Sequence, residues 1–394
     1  MPLPQPTLDE TEHSQRLCAL IREEISAHGP IDFARYMALA LYAPGLGYYS
    51  AGKARFGAAG DFVTAPELGG LYAATIARAV APVLRETHGD FVELGAGSGA
   101  FASDLLAALE RLDALPARYL VLETSADLRE RQRERIDASV PALANRVQHL
   151  DRPPQEPWRG VLFANEVVDA LPVQRFVARR DGRVAALGVT CDAAGEFHGI
   201  EIEADEALRA RVERIEHDVA AALGQAVPVW QRPYRSECLP QLAEWFHAVA
   251  GMLRRGLALF VDYGYPRAEY YLPERRDGTL VCHYRHRAHD DPFAHVGLQD
   301  ITAFVDFTAL AEAGAAAGFA LSTFTSQAQY LLANGLTELL AEAATRNERE
   351  RMLLAQEVRR LTLPGQMGER FKVMAFSRGV EVRTRRAVDQ SHRL

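Results

Sequence analysis

The chain has 394 residues, 48% of them apolar and 24% charged, which is the composition of a globular protein with a sizeable core. Its net charge of −8 argues against a general nucleic-acid or membrane-surface binder, because either partner requires a basic surface. The four cysteines are widely spaced, so neither a disulfide framework nor a C-x-x-C metal site is present.

The N-terminal sequence MPLPQPTLDETEHSQ contains acids and lacks an apolar core, so it predicts neither a signal peptide nor a transit peptide. The sequence has no run of about eighteen apolar residues, and no membrane span is expected. Nearly all basic residues are arginine, a skew typical of a GC-rich bacterial genome. A cytoplasmic protein with reduced cysteines is therefore predicted.

The order of predicted elements indicates one large core with an insertion. Residues 1–60 predict helices followed by an active-site loop, in which glycines and Pro44 require a turn. Strands then alternate with amphipathic helices in residues 61–172 and 256–378, which indicates a parallel sheet with helices on both faces. Residues 173–255 break this alternation and predict an insertion of a hairpin and helices, and residues 379–394 predict a frayed tail.

The segment FVELGAGSGAF contains an acid two residues before three alternate glycines and then begins a helix. A dinucleotide site has the spacing G-x-G-x-x-G and a pyrophosphate at the helix N-terminus. The spacing here is G-x-G-x-G, and Glu93 is unfavourable beside a pyrophosphate but suits a ligand with an amine and a sulfonium. S-adenosylmethionine (SAM) is such a ligand. An ordinary strand–turn–helix and a nicotinamide or flavin site are the alternatives.

A second acid, Glu123, ends the strand RYLVLE, 28 residues after Gly95. The next strand of a doubly wound sheet should end there, and an acid at that point can accept hydrogen bonds from both ribose hydroxyls. The two acids together favour a SAM site.

Asn165, Glu166 and Asp169 form a polar cluster at the end of the next buried strand, GVLFAN. Ligands of open α/β sheets bind outside the carboxyl ends of strands, so this cluster is expected to face the site. Glu166 and Asp169 would share a face if the chain becomes helical at once. The alternative is a helix N-cap, in which these side chains satisfy backbone donors.

With these residues assigned, the chain resembles the MidA-like SAM-dependent methyltransferases. This family includes bacterial members and a mitochondrial complex I assembly factor that methylates a protein arginine. The resemblance covers about residues 30–378 and rests on the ordered motifs YMALALYAPGLGYYS, GDFVTAPELG, VELGAGSG, ANEVVDALPVQRF, FVDYGY, GTLVCHYRHRAHDDP, GLQDITAFVDFTAL and MGERFKVMAFSRG. Ala96 stands where the family often has proline, and LGGLYAA departs from the family after GDFVTAPE, but Asp61 and Glu67 are kept.

The resemblance implies an α/β, class I SAM-methyltransferase (Rossmann-like) fold: a seven-stranded, mostly parallel sheet whose last strand is antiparallel, with an N-terminal helical extension and an α+β insertion. Residues 61–172 would be its SAM-binding half. It also implies a protein substrate, for example a respiratory-complex or other assembly subunit, and leaves a homodimer open. The residues implied for SAM binding are Glu93, Gly95, Gly97, Gly99, Glu123 and Asn165, with Asp151 as an adenine contact.

Methyl transfer from a sulfonium is an in-line displacement, so the site must align donor and acceptor and exclude water. A guanidinium acceptor must also be bound as a cation and lose a proton, and carboxylates serve both needs. The candidate catalytic acids are Glu166, Asp169 and Glu67, followed by Asp262. For Asp262 and Glu67 the alternative is a capping role. Tyr48 and Tyr49 are candidate walls of the acceptor channel, with half-buried packing as the alternative.

The segment VCHYRHRAHDDPFAHVG holds a cysteine and four histidines but is not predicted to bind a metal. On a strand or on a helix its potential ligands point in different directions, and Arg285 and Arg287 lie among them. The ligand spacing of a zinc site is absent. We predict instead a loop over the mouth of the active site, held by Asp290, Asp291 and Asp300 or contacting substrate.

The sequence thus predicts a SAM-dependent methyltransferase that acts on an arginine side chain of a partner protein. Two alternatives stay open. One is a small-molecule or other protein N- or O-methyltransferase with the same cofactor site. The other is a non-catalytic assembly factor that keeps the fold, against which the intact Glu93, glycine loop and Glu123 argue.

Overall fold

A computed structural model gives the fold and describes residues 3–51, 64–342, 347–382 and 389–394. The motif residues 60–63, including Asp61, lie outside the described residues, as do residues 383–388 of the predicted tail. The strands are β1 (Ile31–Asp32), β2 (Asp90–Leu94), β3 (Tyr119–Leu122), β4 (Val147–Leu150), β5 (Trp158–Asn165), β6 (Gln174–Ala178), β7 (Val184–Cys191), β8 (Phe197–Glu203), β9 (Tyr234–Cys238), β10 (Leu253–Tyr265), β11 (Val281–Tyr284), β12 (Arg287–His289), β13 (Asp300–Thr302), β14 (Val305–Asp306), β15 (Ala320–Ser326) and β16 (Phe371–Arg378).

The α-helices are α1 (Leu8–His28), α2 (Phe33–Tyr42), α3 (Gly70–Thr87), α4 (Ala100–Arg111), α5 (Ala126–Ser139), α6 (Glu206–Leu223), α7 (Leu242–Ala250), α8 (Arg267–Tyr270), α9 (Phe307–Ala316), α10 (Gln327–Ala333), α11 (Leu336–Glu342), α12 (Glu348–Thr362) and α13 (Met367–Arg370). In the part of the chain that the structure describes, no helix combines the length and the apolar character needed to cross a membrane.

The central sheet has the strand order β15-β16-β10-β5-β2-β3-β4, and the short β14 pairs with β10. Strands β4, β3, β2, β5 and β10 pair in parallel, whereas β16 is antiparallel to both β10 and β15. The predicted α/β sheet with an antiparallel last strand is therefore confirmed. The two-residue β14 adds an eighth strand, which is too short to leave a periodic pattern in the sequence.

Side chains alternate along the buried strands, so each face of the central sheet packs its own layer of helices. On one face Phe163 stacks on Phe101 of α4, with ring centroids 4.4 Å apart. On the other face Phe260 and Phe376 pack against Phe246 of α7, at 5.4 and 5.1 Å. Aromatic pairs of this kind stabilise by about 0.5–1.5 kcal/mol each beyond their buried area. The two layers fix the edge at which the parallel strands end.

A second sheet, ordered β1-β7-β6-β9 with β8 beside β7, is built mainly from the segment predicted as an insertion. Strands β6 and β7 form the predicted hairpin, with Gly182 at φ +85° in its turn. Strand β1 comes from the N-terminal segment, where Ile31 pairs with Val189. It thereby connects the N-terminal helices to this sheet. A strand of two residues is too short to be predicted from the sequence.

The histidine-containing segment, predicted as a loop over the mouth of the site, contains the hairpin of β11 and β12, and β13 completes a small antiparallel sheet ordered β12-β11-β13. Arg285 and His286 turn the β11–β12 hairpin with φ of 47° and 60°. This left-handed turn usually has asparagine or glycine at both positions, so its residues gave no hairpin signal.

The prediction of a frayed tail does not hold for residues 389–394. The backbone N–H of Gln390 donates to the carbonyl of Phe324 in β15 at 2.7 Å, and the N–H of Phe324 donates to the Asp389 carboxylate at 3.1 Å. Leu394 packs against the core beneath. The C-terminus is thus attached to the outer edge of β15.

Candidate active site

A cavity of about 1210 Å³ lies at the edge of the central sheet where β2, β3 and β5 end. Most of the residues predicted for the site line it together: Glu67, Glu93, Gly95, Gly97, Glu123, Asn165, Glu166 and Asp169. Gly99 is not among the lining residues. Asp151 does not line the cavity, because the chain turns into solvent where β4 ends and leaves this residue exposed.

The glycine loop follows β2 with Gly95, Gly97 and Gly99 at φ of 65°, 53° and 81°. A residue with a side chain is strained in this left-handed region. Gly99 is also the N-cap of α4, and a Cβ atom on it would lie 3.2 Å from Cα of Gln132. The loop therefore presents bare backbone to the cavity.

Glu93 is buried at the end of β2, where it accepts a hydrogen bond of 2.7 Å from the hydroxyl of Tyr119. Burial disfavours the charged carboxylate and raises the pKa of Glu93 to about 8. A cation in the cavity would favour the ionised form, so this acid is matched to a positively charged ligand.

Glu123 is buried directly after β3. One carboxylate oxygen accepts the backbone N–H of Ser125 at 2.9 Å, and the other accepts the amide of Gln132 at 3.3 Å. Burial raises the pKa of Glu123, although these hydrogen bonds oppose the shift. Each oxygen can accept one further bond, which leaves capacity for two hydroxyl donors.

Gln132 is a site residue that the sequence reasoning missed. Its amide also donates to the carbonyl of Gly97 at 2.9 Å, so one side chain holds both the glycine loop and Glu123. Leu128, Gln132 and Ile136 form the buried face of α5. A glutamine in this i, i+4, i+8 series was the available signal, because a buried amide must find hydrogen-bond partners.

Glu166 follows β5 with φ +54°, a left-handed conformation that turns its side chain into the cavity. The amide of Asn165 donates to Glu166 Oε1 at 3.1 Å and accepts the hydroxyl of Tyr72 at 2.6 Å. Burial raises the pKa of Glu166 to about 8, and the negative charge of the neighbouring Asp169 is the second largest cause of the shift. Among the described residues no arginine or lysine forms an ion pair with it.

The N-cap alternative for this cluster is wrong, because the chain does not become helical after β5. The backbone N–H groups of Val168 and Asp169 donate instead to Oδ2 of Asp262, at 3.0 and 3.2 Å. Asp262, a candidate catalytic acid, is itself buried and fully engaged in holding this turn, since its Oδ1 accepts the N–H of Tyr263.

Asp169 is 4% exposed and lines the cavity. Its Oδ1 is buried and has no hydrogen-bond partner among the described residues. Burial raises its pKa. A buried acceptor without a donor is unfavourable, so a ligand with N–H or O–H groups would be stabilised here.

Glu67 lies at the end of a 3-10 turn, Ala65–Glu67, and also lines the cavity. It accepts the hydroxyl of Ser98, inside the glycine loop, and its Oε2 is 3.6 Å from Arg135 Nη1. Glu67 therefore contacts the glycine loop and a cation, unlike Glu166 and Asp169.

The far wall of the cavity comes from the N-terminal segment and the small sheet. Tyr49 lines it and donates to Asp300 Oδ1 at 2.8 Å, and Tyr42 stacks on Tyr49 with ring centroids 5.6 Å apart. Tyr48 does not line it, because it is fully buried in the core. His283 of β11 lines the cavity. Among the described residues no group of three or more His, Cys, Asp or Glu side chains is arranged to hold a metal ion.

The model of a protein family described as "Putative S-adenosyl-L-methionine-dependent methyltransferase" matches residues 75–325, more than half of the chain. The chain belongs to this family. The MidA-like resemblance and the class I fold are confirmed, and SAM is the cofactor of this methyltransferase.

The methyltransferase is similar to a solved protein and to curated relatives over almost its whole length. A crystal structure from Burkholderia thailandensis, described as a "likely methyl transferase" bound to S-adenosyl-homocysteine, is 42% identical, covers 100% of both chains and has a TM-score of 0.93. The "Protein arginine methyltransferase NDUFAF7 homolog, mitochondrial" of Drosophila melanogaster is 28% identical over 92% of this chain and 85% of its own. The protein of Danio rerio named "Protein arginine methyltransferase NDUFAF7, mitochondrial" is 25% identical over 94% of this chain and 89% of its own length.

The cavity of the methyltransferase fits SAM by the chemistry of its wall. The glycines leave space for backbone approach, Glu93 suits a cationic group, and Glu123 keeps acceptor capacity for hydroxyls. These residues would hold the cofactor, while Glu166 and Asp169 remain available beside it.

Proposed function

We propose that this methyltransferase methylates an arginine side chain of a protein. The observation that carries the proposal is the pair Glu166 and Asp169, two buried acids that line the cofactor cavity without an ion pair to a described residue. Buried carboxyl groups without a cation are costly, so their presence beside the cofactor favours a cationic acceptor.

A guanidinium matches this pair in charge and in donors. It is planar, always protonated and carries five N–H groups, so it can serve two carboxylates at once. Oδ1 of Asp169, which has no partner among the described residues, would gain one of these donors. The stacked pair Tyr42 and Tyr49 supplies an aromatic wall, and aromatic faces attract guanidinium.

Glu166 is the residue best suited to take the proton. An arginine nitrogen loses one proton as it gains a methyl group, and a general base works best when its pKa is near the working pH. Burial holds the pKa of Glu166 at about 8, and a bound guanidinium would shift it back towards ionisation. Glu166 therefore binds the cation as a carboxylate and accepts its proton during transfer.

The neighbouring residues position this base. Tyr72 and Asn165 hold the Glu166 carboxyl group through a continuous hydrogen-bonded chain. Asp262 fixes the backbone of Asp169. When bound, SAM supplies an electrophilic methyl group, and the protein has to align the acceptor with it in a dry site.

The names of the curated relatives support arginine as the acceptor, at 25–28% identity. The test is to incubate the protein with isotopically labelled SAM and a bacterial cell extract, and to identify modified residues by mass spectrometry. Methylarginine formed by the wild type and not by Glu166→Gln supports the proposal. Label found only in small molecules, or on residues other than arginine, would contradict it.

A further inference from the structure

We infer that Glu67 positions the glycine loop for cofactor binding instead of acting on the acceptor. It does so through a cluster of Glu67, Ser98 and Arg135, which we call the loop clamp. The inference rests on the SAM site alone, so it is independent of the identity of the acceptor.

The clamp joins three separate parts of the chain. Ser98 lies between Gly97 and Gly99, and its hydroxyl donates to Oε1 of Glu67 in the 3-10 turn. Arg135 of α5 donates to the Ser98 oxygen at 2.8 Å and lies 3.6 Å from Glu67 Oε2. The Ser98 hydroxyl thus donates to Glu67 and accepts from Arg135, and a hydroxyl group can do both at once.

The loop needs such a contact because of its glycines. Glycine has the largest conformational freedom in the unbound chain, and all three glycines here adopt left-handed backbone angles. Gln132 holds the loop from α5 through the carbonyl of Gly97, and the clamp holds the next residue. A loop ordered before the ligand arrives loses less entropy on binding, which strengthens binding without any new contact to the ligand.

The surroundings of Glu67 also distinguish it from the proposed acceptor acids. Its side chain is only 13% exposed, and its two oxygens face Ser98 and Arg135. A carboxylate whose charge is already compensated by an arginine is less suited to bind a second guanidinium. Glu166 and Asp169 have no such ion pair among the described residues.

The 3-10 turn also borders the acceptor side, because its Pro66 and Glu67 line the same cavity as Glu166. Loss of the clamp can therefore lower turnover indirectly. Turnover alone does not separate the two roles of Glu67, but affinity for S-adenosylhomocysteine (SAH), measured without acceptor, does.

The experiment is calorimetric titration of SAH into the wild type, Glu67→Ala, Glu67→Gln, Ser98→Ala and the double variant Glu67→Ala/Ser98→Ala. Glu67→Ala and Ser98→Ala should each weaken SAH binding about tenfold, the scale of one hydrogen bond to a charged group. Glu67→Gln keeps an oxygen for the Ser98 hydroxyl and should stay within about threefold of the wild type. The double variant should bind SAH no more weakly than the single variant with the lower affinity, because both substitutions remove the same contact between Glu67 and Ser98.

The matched control is Glu130→Ala, an exposed acid of α5 that pairs with Arg133 at 3.1 Å and should leave SAH affinity unchanged. Melting temperatures of all variants establish that they fold. Unchanged SAH affinity in folded Glu67→Ala, with a loss of turnover, would overturn the inference and return Glu67 to the acceptor chemistry. A loss of affinity in Glu67→Gln as large as in Glu67→Ala would overturn it too, since the hydrogen bond to Ser98 is then not what matters.

Discussion

Oδ2 of Asp262 lies 3.2 Å from the backbone nitrogen of Asp169, so one buried carboxyl group holds the backbone of another. The same oxygen accepts the N–H of Val168. The turn that carries Glu166 and Asp169 into the cavity is therefore stabilised by a residue at the end of β10, not by a helix.

Asp262→Ala is expected to lower both stability and turnover. It leaves the buried N–H groups of Val168 and Asp169, and the partly buried N–H of Tyr263, without their acceptor, at a cost of about 1–3 kcal/mol. SAH affinity should stay within a few-fold, because the hydrogen bonds of Asp262 hold the turn and Tyr263 and not Glu93, the glycine loop or Glu123. Urea denaturation and SAH titration on the same sample check this. A variant as stable and active as the wild type would contradict a positioning role.

Glu166→Gln is expected to reduce turnover by about 10²-fold, the usual scale for loss of a general base. SAH affinity should change little, since Glu93, the glycines and Glu123 are intact. Stability should increase, because the substitution removes a buried charge beside Asp169. A gain of about 1–3 kcal/mol in the free energy of unfolding is expected above pH 8. A lower melting temperature with normal turnover would remove Glu166 from the catalytic residues.

The stability difference between Glu166→Gln and the wild type should depend on pH. The pKa of Glu166 is about 8 in the folded protein and near 4.5 in the unfolded chain, so the folded state binds more protons between these values. The Glu166 contribution to stability therefore falls as the pH rises from about 4.5 to 8. Melting curves of both proteins at pH 5 and pH 8.5 should diverge only at the higher pH. Equal differences at both values would show that Glu166 does not titrate in this range.

Turnover of the wild type at subsaturating acceptor should rise with pH and level off above about 8, because only the ionised Glu166 binds a cation and accepts its proton. SAM must be saturating at each pH, since burial also raises the pKa of Glu93 to about 8. Initial rates across pH 6–9.5 check this, with Glu166→Gln as the reference. A wild-type rate independent of pH would argue against Glu166 as the base.

Gly97→Val should abolish SAH binding, because its side chain would occupy the space of the ligand and Gly97 lies at φ +53°. Backbone strain alone would lower stability by about 1–2 kcal/mol. Gly182→Val is the matched control: Gly182 has φ +85° in an exposed hairpin with no atom within 4 Å of a Cβ at this position. Gly182→Val should lose a similar amount of stability through backbone strain and keep the SAH affinity of the wild type. Retained binding in folded Gly97→Val would place the cofactor elsewhere.

The sequence predicted the parts of the site that depend on local order along the chain. Glu93, the glycines and Glu123 follow from where parallel strands end, and strand ends are marked by apolar runs and glycines. The structure brings Glu93, Gly95, Gly97 and Glu123 to one cavity. Asp151 is exposed after β4 and does not line this cavity, so its contact with adenine stays a prediction.

Other features depend on contacts between distant residues. The sequence left open whether the chain becomes helical after β5, because Asp262, which accepts the N–H groups of the turn, lies 93 residues beyond Asp169. Which of Tyr48 and Tyr49 faces the cavity depends on Asp300, the partner of Tyr49. Gln132 was missed because its role appears only when α5 lies against the glycine loop.

The attachment of residues 389–394 to β15 has a practical consequence. β15 is an edge strand of the central sheet, and an edge strand presents unpaired backbone N–H and C=O groups with which another chain can pair. The C-terminus covers this edge at Phe324. Removal of the last six residues would delete Asp389 and Gln390, uncover this edge and favour self-association.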